Sequence, residues 1–164
     1  MENLNLLLNR LLDSKLDFVL IGGYAAVVHG SSLVTHDLDI CAIITEENLK
    51  LLKQILNDLE PKHRMNPNFQ PSLDDYPPSG QTIENLYLRT NIGILDIVKN
   101  VPPVGGFEDI KKRANTISIF GHNCKVISLN DLILIKRSMT RTKDLVVLSE
   151  LEAIKEKYTT TTKK

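Results

Sequence analysis

Between Phe18 and Ile40 the chain reads FVLIGGYAAVVHGSSLVTHDLDI, a short apolar run, a glycine pair, and then two aspartates one residue apart. Asp17 to Ile21 is apolar after its first residue, as expected of a buried strand. Gly22-Gly23 lets the backbone turn tightly, and Tyr24 to His29 reads as a short helix closed by Gly30. Leu38 to Ile44 reads as a second strand. In a strand, residues i and i+2 share a face, so Asp37 and Asp39 present their carboxylates together while Leu38 and Ile40 point into the core. Two like charges this close call for a cation.

A third acid, Asp96, interrupts the apolar strand Ile92 to Val98. An unpaired carboxylate there is costly, and is best explained if it faces the same cavity. Three convergent carboxylates suit Mg²⁺ or Mn²⁺, hard ions that take oxygen ligands and keep positions open for water and substrate phosphates. A glycine turn between strand and helix exposes backbone N–H groups that hold a phosphate beside such an ion. The bland readings are an ordinary tight turn and a solvated strand end. Order and spacing make turn and carboxylates one site for phosphate chemistry.

The remaining pattern is mixed α+β. Leu4, Leu7, Leu8, Leu11 and Leu12 recur at helical spacing, and Thr45-Glu46-Glu47 starts a second such helix that stops at Pro61. Pro61 to Gly80 holds five of the seven prolines, which predicts an irregular, mobile surface loop. Ile83 to Thr90 and Ile92 to Val98 form a hairpin, Pro102 to Gly106 a linker, and Thr116 to Phe120 pairs with Cys124 to Ile127. Ser128 caps a helix to about Met139, and a last helix starts near Thr142. Residues 1–158 form one domain on this reading, with 159–164 a disordered tail.

Composition narrows the function. The 164 residues are 42% hydrophobic, with 20 basic and 20 acidic side chains and a formal net charge of +0, so no general field draws the chain to nucleic acid or an anionic membrane. No apolar run has the length to span a bilayer and no basic leader opens the chain, which predicts a cytoplasmic protein with no membrane partner. Cys41 and Cys124 lack metal-ligand spacing and read as buried reduced thiols. His29 and His36 read as structural, and His63 and His122 as incidental.

With these residues in place, the chain resembles the nucleotidyltransferase fold superfamily that includes DNA polymerase β. Its pattern is an apolar strand, Gly-Gly or Gly-Ser, a spacer, Asp-x-Asp, and a third acid on a later strand; Gly22, Gly23, Asp37, Asp39 and Asp96 match it in order. More narrowly, GGYAAVVHG, THDLDI, GILDIV and VISLNDLILIKRSMTRTKDLVVLSELEAI look like the small bacterial members related to toxins of toxin-antitoxin and abortive-infection systems.

The resemblance implies a central mixed β-sheet flanked by helices, with C-terminal helices. It also implies Mg²⁺ or Mn²⁺ on Asp37, Asp39 and Asp96, and transfer of a nucleoside monophosphate from a nucleoside triphosphate to a hydroxyl on a tRNA, a protein or a small molecule. Asp37 and Asp39 then hold the ions and Asp96 orients or deprotonates the acceptor. Lys136 matches the lysine of the family's Leu-Ile-x-x-Lys helix, placing it on the phosphates, with Arg141 or Lys143 of the Arg-x-Lys-Asp turn near the acceptor. Where these relatives carry Arg-x-Thr-x-Asp-x-Asp, the arginine position is Leu33, so that contact is missing. From Val101 to Lys143 basic residues outnumber acidic ones by five. For Arg137 and Lys143 a solvated helix face, and for Asp144 a helix-start cap, stay open. A rival reading is a catalytically silent binding partner, half of a toxin-antitoxin pair.

Overall fold

The computed structural model describes residues 2–78 and 80–162. Helix α1 (Leu4–Leu12) leads into β1 (Val19–Ile21), α2 (Gly22–Val28), β2 (Asp37–Cys41) and α3 (Glu46–Ile55). Then come β3 (Lys62–His63), the β4 (Leu86–Thr90) and β5 (Gly93–Val98) hairpin, and a ribbon of β6 (Asn100–Val101) with β7 (Gly105–Gly106). Helix α4 (Phe107–Arg113), the β8 (Asn115–Ile119) and β9 (His122–Val126) hairpin, α5 (Leu129–Arg137) and α6 (Thr142–Thr162) complete the chain. Seven strands form one mixed sheet in the order β3-β4-β5-β2-β1-β9-β8, with β2 parallel to β5, β1 parallel to β9, and the other neighbours antiparallel. This is the α+β sheet with C-terminal helices that the sequence predicts.

Alternation along the central strands sets the two faces. Leu38, Ile40, Leu95 and Ile97 are fully buried, in one apolar cluster with Leu7, Leu8 and Leu11 of α1 and with Leu52 and Leu56. Each such side chain contributes about 1.5–3 kcal/mol of burial. Strand β2 therefore cannot slip by one residue without driving Asp37 and Asp39 into this core. Helix ends follow local chemistry: the Asn3, Thr45 and Ser128 side chains accept from Leu6 N, Asn48 N and Asp131 N at the starts of α1, α3 and α5.

Four segments differ from the sequence pattern. Helix α2 starts directly at Gly22, with Ile21 as its cap, so the glycines form the first turn of the helix. The proline-rich loop is anchored: Leu73 is fully buried, Leu73 N donates to Pro61 O (2.9 Å), and Lys62–His63 adds an edge strand to β4. The Pro102–Gly106 linker closes as the β6–β7 ribbon. Helix α6 runs on to Thr162, where the pattern predicts a disordered tail from 159, because extending a formed helix adds a hydrogen bond for each residue fixed; residues 163 and 164 lie outside the described residues.

Gly22 has φ +69°, and a Cβ there would lie 2.8 Å from the Asp39 Cβ. Gly121 has φ +78° with nothing within 4 Å of its Cβ position. Both positions disfavour an L side chain, but only Gly22 adds a collision. Gly121→Ala is expected to lose about 1–2 kcal/mol and Gly22→Ala clearly more, measured by urea denaturation; equal losses would mean that Asp39 moves aside freely.

Candidate active site

Register places one row of side chains across the carboxylate face of the sheet. Ile21 pairs with Asp39, Asp39 with Asp96, and Asp96 with Tyr87. Arg64, just beyond β3, continues the row by donating its N–H to Tyr87 O (3.1 Å). Asp37 lies two residues before Asp39 on the same face, opposite Ile94. The three acids read from the sequence thus come together, beside the α2 start.

Two adjoining cavities open over this row, and Gly23, Asp39, Lys136 and Arg141 line both. One, of about 270 Å³, reaches Gly22, Tyr87 and Asp96 under Leu132 and Ile135 of α5. The other, of about 250 Å³, holds Asp37, Thr35, Leu33 and Lys143. Every residue predicted for the site lines at least one of them. Leu33 supplies an apolar wall, and Thr35 Oγ1 donates to Asp37 O (3.0 Å).

Electrostatics divides the acids. Burial, then the charges of Asp96 and Asp37, push the Asp39 carboxyl up to about 6, against smaller opposing effects of Arg64 and Lys136. Burial also raises Asp96, although Arg64 grips it in a two-pronged pair, Nε to Oδ1 at 3.1 Å and Nη2 to Oδ2 at 2.5 Å. Asp96 is therefore not the unpaired carboxylate expected from its apolar strand. Among the described residues, Asp37 and Asp39 make no ion pair.

This pattern bears on the metal. No group of three His, Cys, Asp or Glu side chains among the described residues is arranged to hold an ion by itself. Asp37 and Asp39 fit a Mg²⁺ or Mn²⁺ bound through one or two carboxylates, with water and phosphate oxygens as the other ligands. Asp96, expected as a third ligand, lies beside Asp39 and is paired with Arg64.

The basic residues are less concentrated than their sequence suggests. Lys111 pairs with Asp17, Arg113 with Asp131, and Arg137 with Glu152 on the exposed side of α5. Lys136, Arg141 and Lys143 remain at the cavity. Lys136 Nζ and Arg141 Nε reach Asp144 Oδ1 and Oδ2 at 3.0 and 2.6 Å, and the Asp144 side chain is only 1% exposed. Burial pushes the Asp144 carboxyl up, but the hydrogen bonds and charges of Arg141 and Lys136 prevail and hold it below its ordinary range. Asp144 thus fixes two cations at the α5–α6 junction.

Arg64 escaped the sequence reading, and Asp144 was read only as the end of the Arg-x-Lys-Asp turn or a helix-start cap. Both carry a charge in a segment read as loop or cap, and only tertiary pairing reveals their partners. Of the histidines, His29 Nε2 lies 2.7 Å from Ile127 O, a structural contact, and His36 meets Glu2 on the surface. Cys41 and Cys124 are free and buried.

No family model matches the sequence, and no curated protein matches it. Solved structures do. The lincomycin-bound crystal structure of the lincosamide antibiotic adenylyltransferase LnuA superposes with a TM-score of 0.62 at 18% identity, covering 92% of this chain and 95% of that one. The complex of ANT(2″)-Ia with adenylyl-2″-tobramycin gives a TM-score of 0.54 at 12% identity, covering 96% and 97%. At these identities the likeness is one of fold: the chain has the nucleotidyltransferase fold.

The Asp39 shift has a definite sign in stability. Its folded value, about 6, lies above the unfolded value near 3.8, so the folded state holds the proton more tightly. Its contribution is fully present below about pH 4 and is lost as pH rises through 6. Asp39→Asn is accordingly expected to stabilise the ion-free protein at pH 7.5 by on the order of 2 kcal/mol, seen as a higher Tm, and to have little effect at pH 4. A lower Tm at pH 7.5 would make the carboxylate a structural acceptor.

Proposed function

We propose that the chain transfers a nucleoside monophosphate from a nucleoside triphosphate to a hydroxyl acceptor. The observation that carries this reading is the Asp39–Asp96 neighbour pair, set beside the glycine turn in a cavity that also holds Lys136 and Arg141. A nucleotidyltransferase needs carboxylates for the ion, cations for the phosphates and a base for the acceptor, and the cavity contains each.

Asp37 and Asp39 would hold Mg²⁺ or Mn²⁺. The ion supplies charge neutralisation at the phosphates, a role that their mutual repulsion favours. Lys136, Arg141 and Lys143 receive the β and γ phosphates and stabilise departing pyrophosphate, with Lys136 and Arg141 already oriented by Asp144. Gly22 and Gly23 keep the wall beside Asp39 low enough for phosphate oxygens to approach. Asp96 accepts the acceptor's proton: burial makes it a better base, and Arg64 fixes its direction. The acceptor oxygen bonds to the α-phosphorus as the bond to the pyrophosphate oxygen breaks. LnuA is by name an antibiotic adenylyltransferase and ANT(2″)-Ia is seen with adenylyl-2″-tobramycin, which supports a transferase reading over a silent binding partner.

The test is to incubate the protein with each α-labelled nucleoside triphosphate and Mg²⁺ or Mn²⁺ against fractionated cell extract. Label is expected to move to one fraction, and Asp96→Asn to slow transfer about 10²–10⁴-fold while leaving nucleotide binding intact. With an ion present, the preferred triphosphate is expected to add about 2.7 kcal/mol of stability at a hundred times its Kd. Asp37→Asn should abolish this gain. A folded protein whose melt responds to no ion–nucleotide pair at millimolar concentration would sink the reading.

A further inference from the structure

Beyond Tyr87 the proline-rich segment encloses another cavity, of about 250 Å³, walled by His63, Met65, Phe69, Tyr76 and Tyr87, with Asn66 and Asn85 as polar groups. Its rings are organised: Tyr76 stands edge-on to His63 at 5.0 Å and to Phe69 at 5.8 Å between centroids. Met65 and Phe69 are 63% and 56% exposed. Large apolar side chains gathered at the rim of a concave surface mark a binding site more often than a lone exposed residue does.

This cavity adjoins the active site. Tyr87 lines both cavities and is the register neighbour of Asp96. Arg64, the residue after His63, grips Asp96 and places its guanidinium 5.9 Å from the Tyr87 ring centroid. The aromatic cavity lies beyond Tyr87, whereas Lys136 and Arg141 line both cavities over the acids and Lys143 lines the one that holds Asp37.

We infer that the cavity walled by Met65, Phe69, Tyr76 and Tyr87 is the acceptor subsite, and that the acceptor is a neutral small molecule bearing an apolar or aromatic ring and a hydroxyl. This inference rests on the transfer reading above. Among the described residues the cavity is lined by no Lys, Arg, Asp or Glu. An RNA end would need cations along its phosphates, and a polycationic aminosugar would need carboxylates. Rings, a thioether and two amides suit a ligand that stacks and accepts a few hydrogen bonds. Seated on Tyr87, its hydroxyl faces Asp96, gives up its proton there, and its oxygen replaces pyrophosphate on the α-phosphorus.

The experiment uses the full chain with 2-(2-naphthyl)ethanol, a neutral fluorescent aromatic alcohol; the protein has no tryptophan to obscure its signal. Saturable binding is expected, weakened about tenfold by Phe69→Ala or Met65→Ala. Both replaced side chains are exposed, so the melting curves should be retained, as should affinity for Mg²⁺ with α,β-methylene-ATP. No binding at millimolar probe, equal affinity in the wild type and both folded variants, or displacement by tobramycin or single-stranded oligouridylate would overturn the assignment. If nucleotide binds and the alcohol does not, only the acceptor assignment falls. If the alcohol binds and no nucleotide does, the transfer reading falls and takes the acceptor role with it.

Discussion

The structure turns on the crowding of three carboxylates at the junction of two parallel strands. Burial of Leu38, Ile40, Leu95 and Ile97 fixes the register of β2 and β5, and that register leaves Asp39 beside Asp96, with Asp37 two residues away. Hydrophobic packing thus enforces a repulsion that the chain alone relieves only in part. Arg64 compensates Asp96, and no side-chain ion pair compensates Asp37 or Asp39 among the described residues. A bound cation, as the proposed function requires, would relieve this imbalance.

The cations are distributed to match. Asp144 is nearly inaccessible, yet it is paired twice, and removing it would leave Lys136 and Arg141 without the anchor that aims them at the cavity. Arg64 serves the opposite side, where it binds Asp96 and extends the row toward the aromatic cavity. The cavities over the acids are therefore cationic and suited to phosphates, while the one beyond Tyr87 is lined by no Lys, Arg, Asp or Glu among the described residues. The three acids line the cationic cavities, and Tyr87, the register neighbour of Asp96, joins them to the aromatic one, the layout the proposed transfer would use.

The acids and glycines were legible because strand alternation and left-handed backbone are local properties. Asp37, Asp39, Asp96, Gly22 and Gly23 could be assigned to one face or one turn before any tertiary contact was known. Arg64 could not: its role depends on β3 pairing with the edge of β4, and a two-residue strand amid prolines carries no periodic signal. Asp144 looked like a helix cap because its partners lie across a helix junction. The local basic surplus misled in the other direction, since Asp17, Asp131 and Glu152 neutralise much of it from elsewhere in the chain. The broad resemblance agrees with the fold of the matched structures. The narrower one, to toxin-related members, draws no support from them.

The Asp37–Asp39 pair is held in a repulsive environment that a ligand-borne cation is expected to relieve. Carbon-detected NMR of the Asp39 carboxyl through a pH titration tests it directly. The expected midpoint is near 6 in the ion-free protein, moving well below that value when Mg²⁺ and α,β-methylene-ATP are added. A midpoint at the ordinary aspartate value that ignores both additions would contradict it.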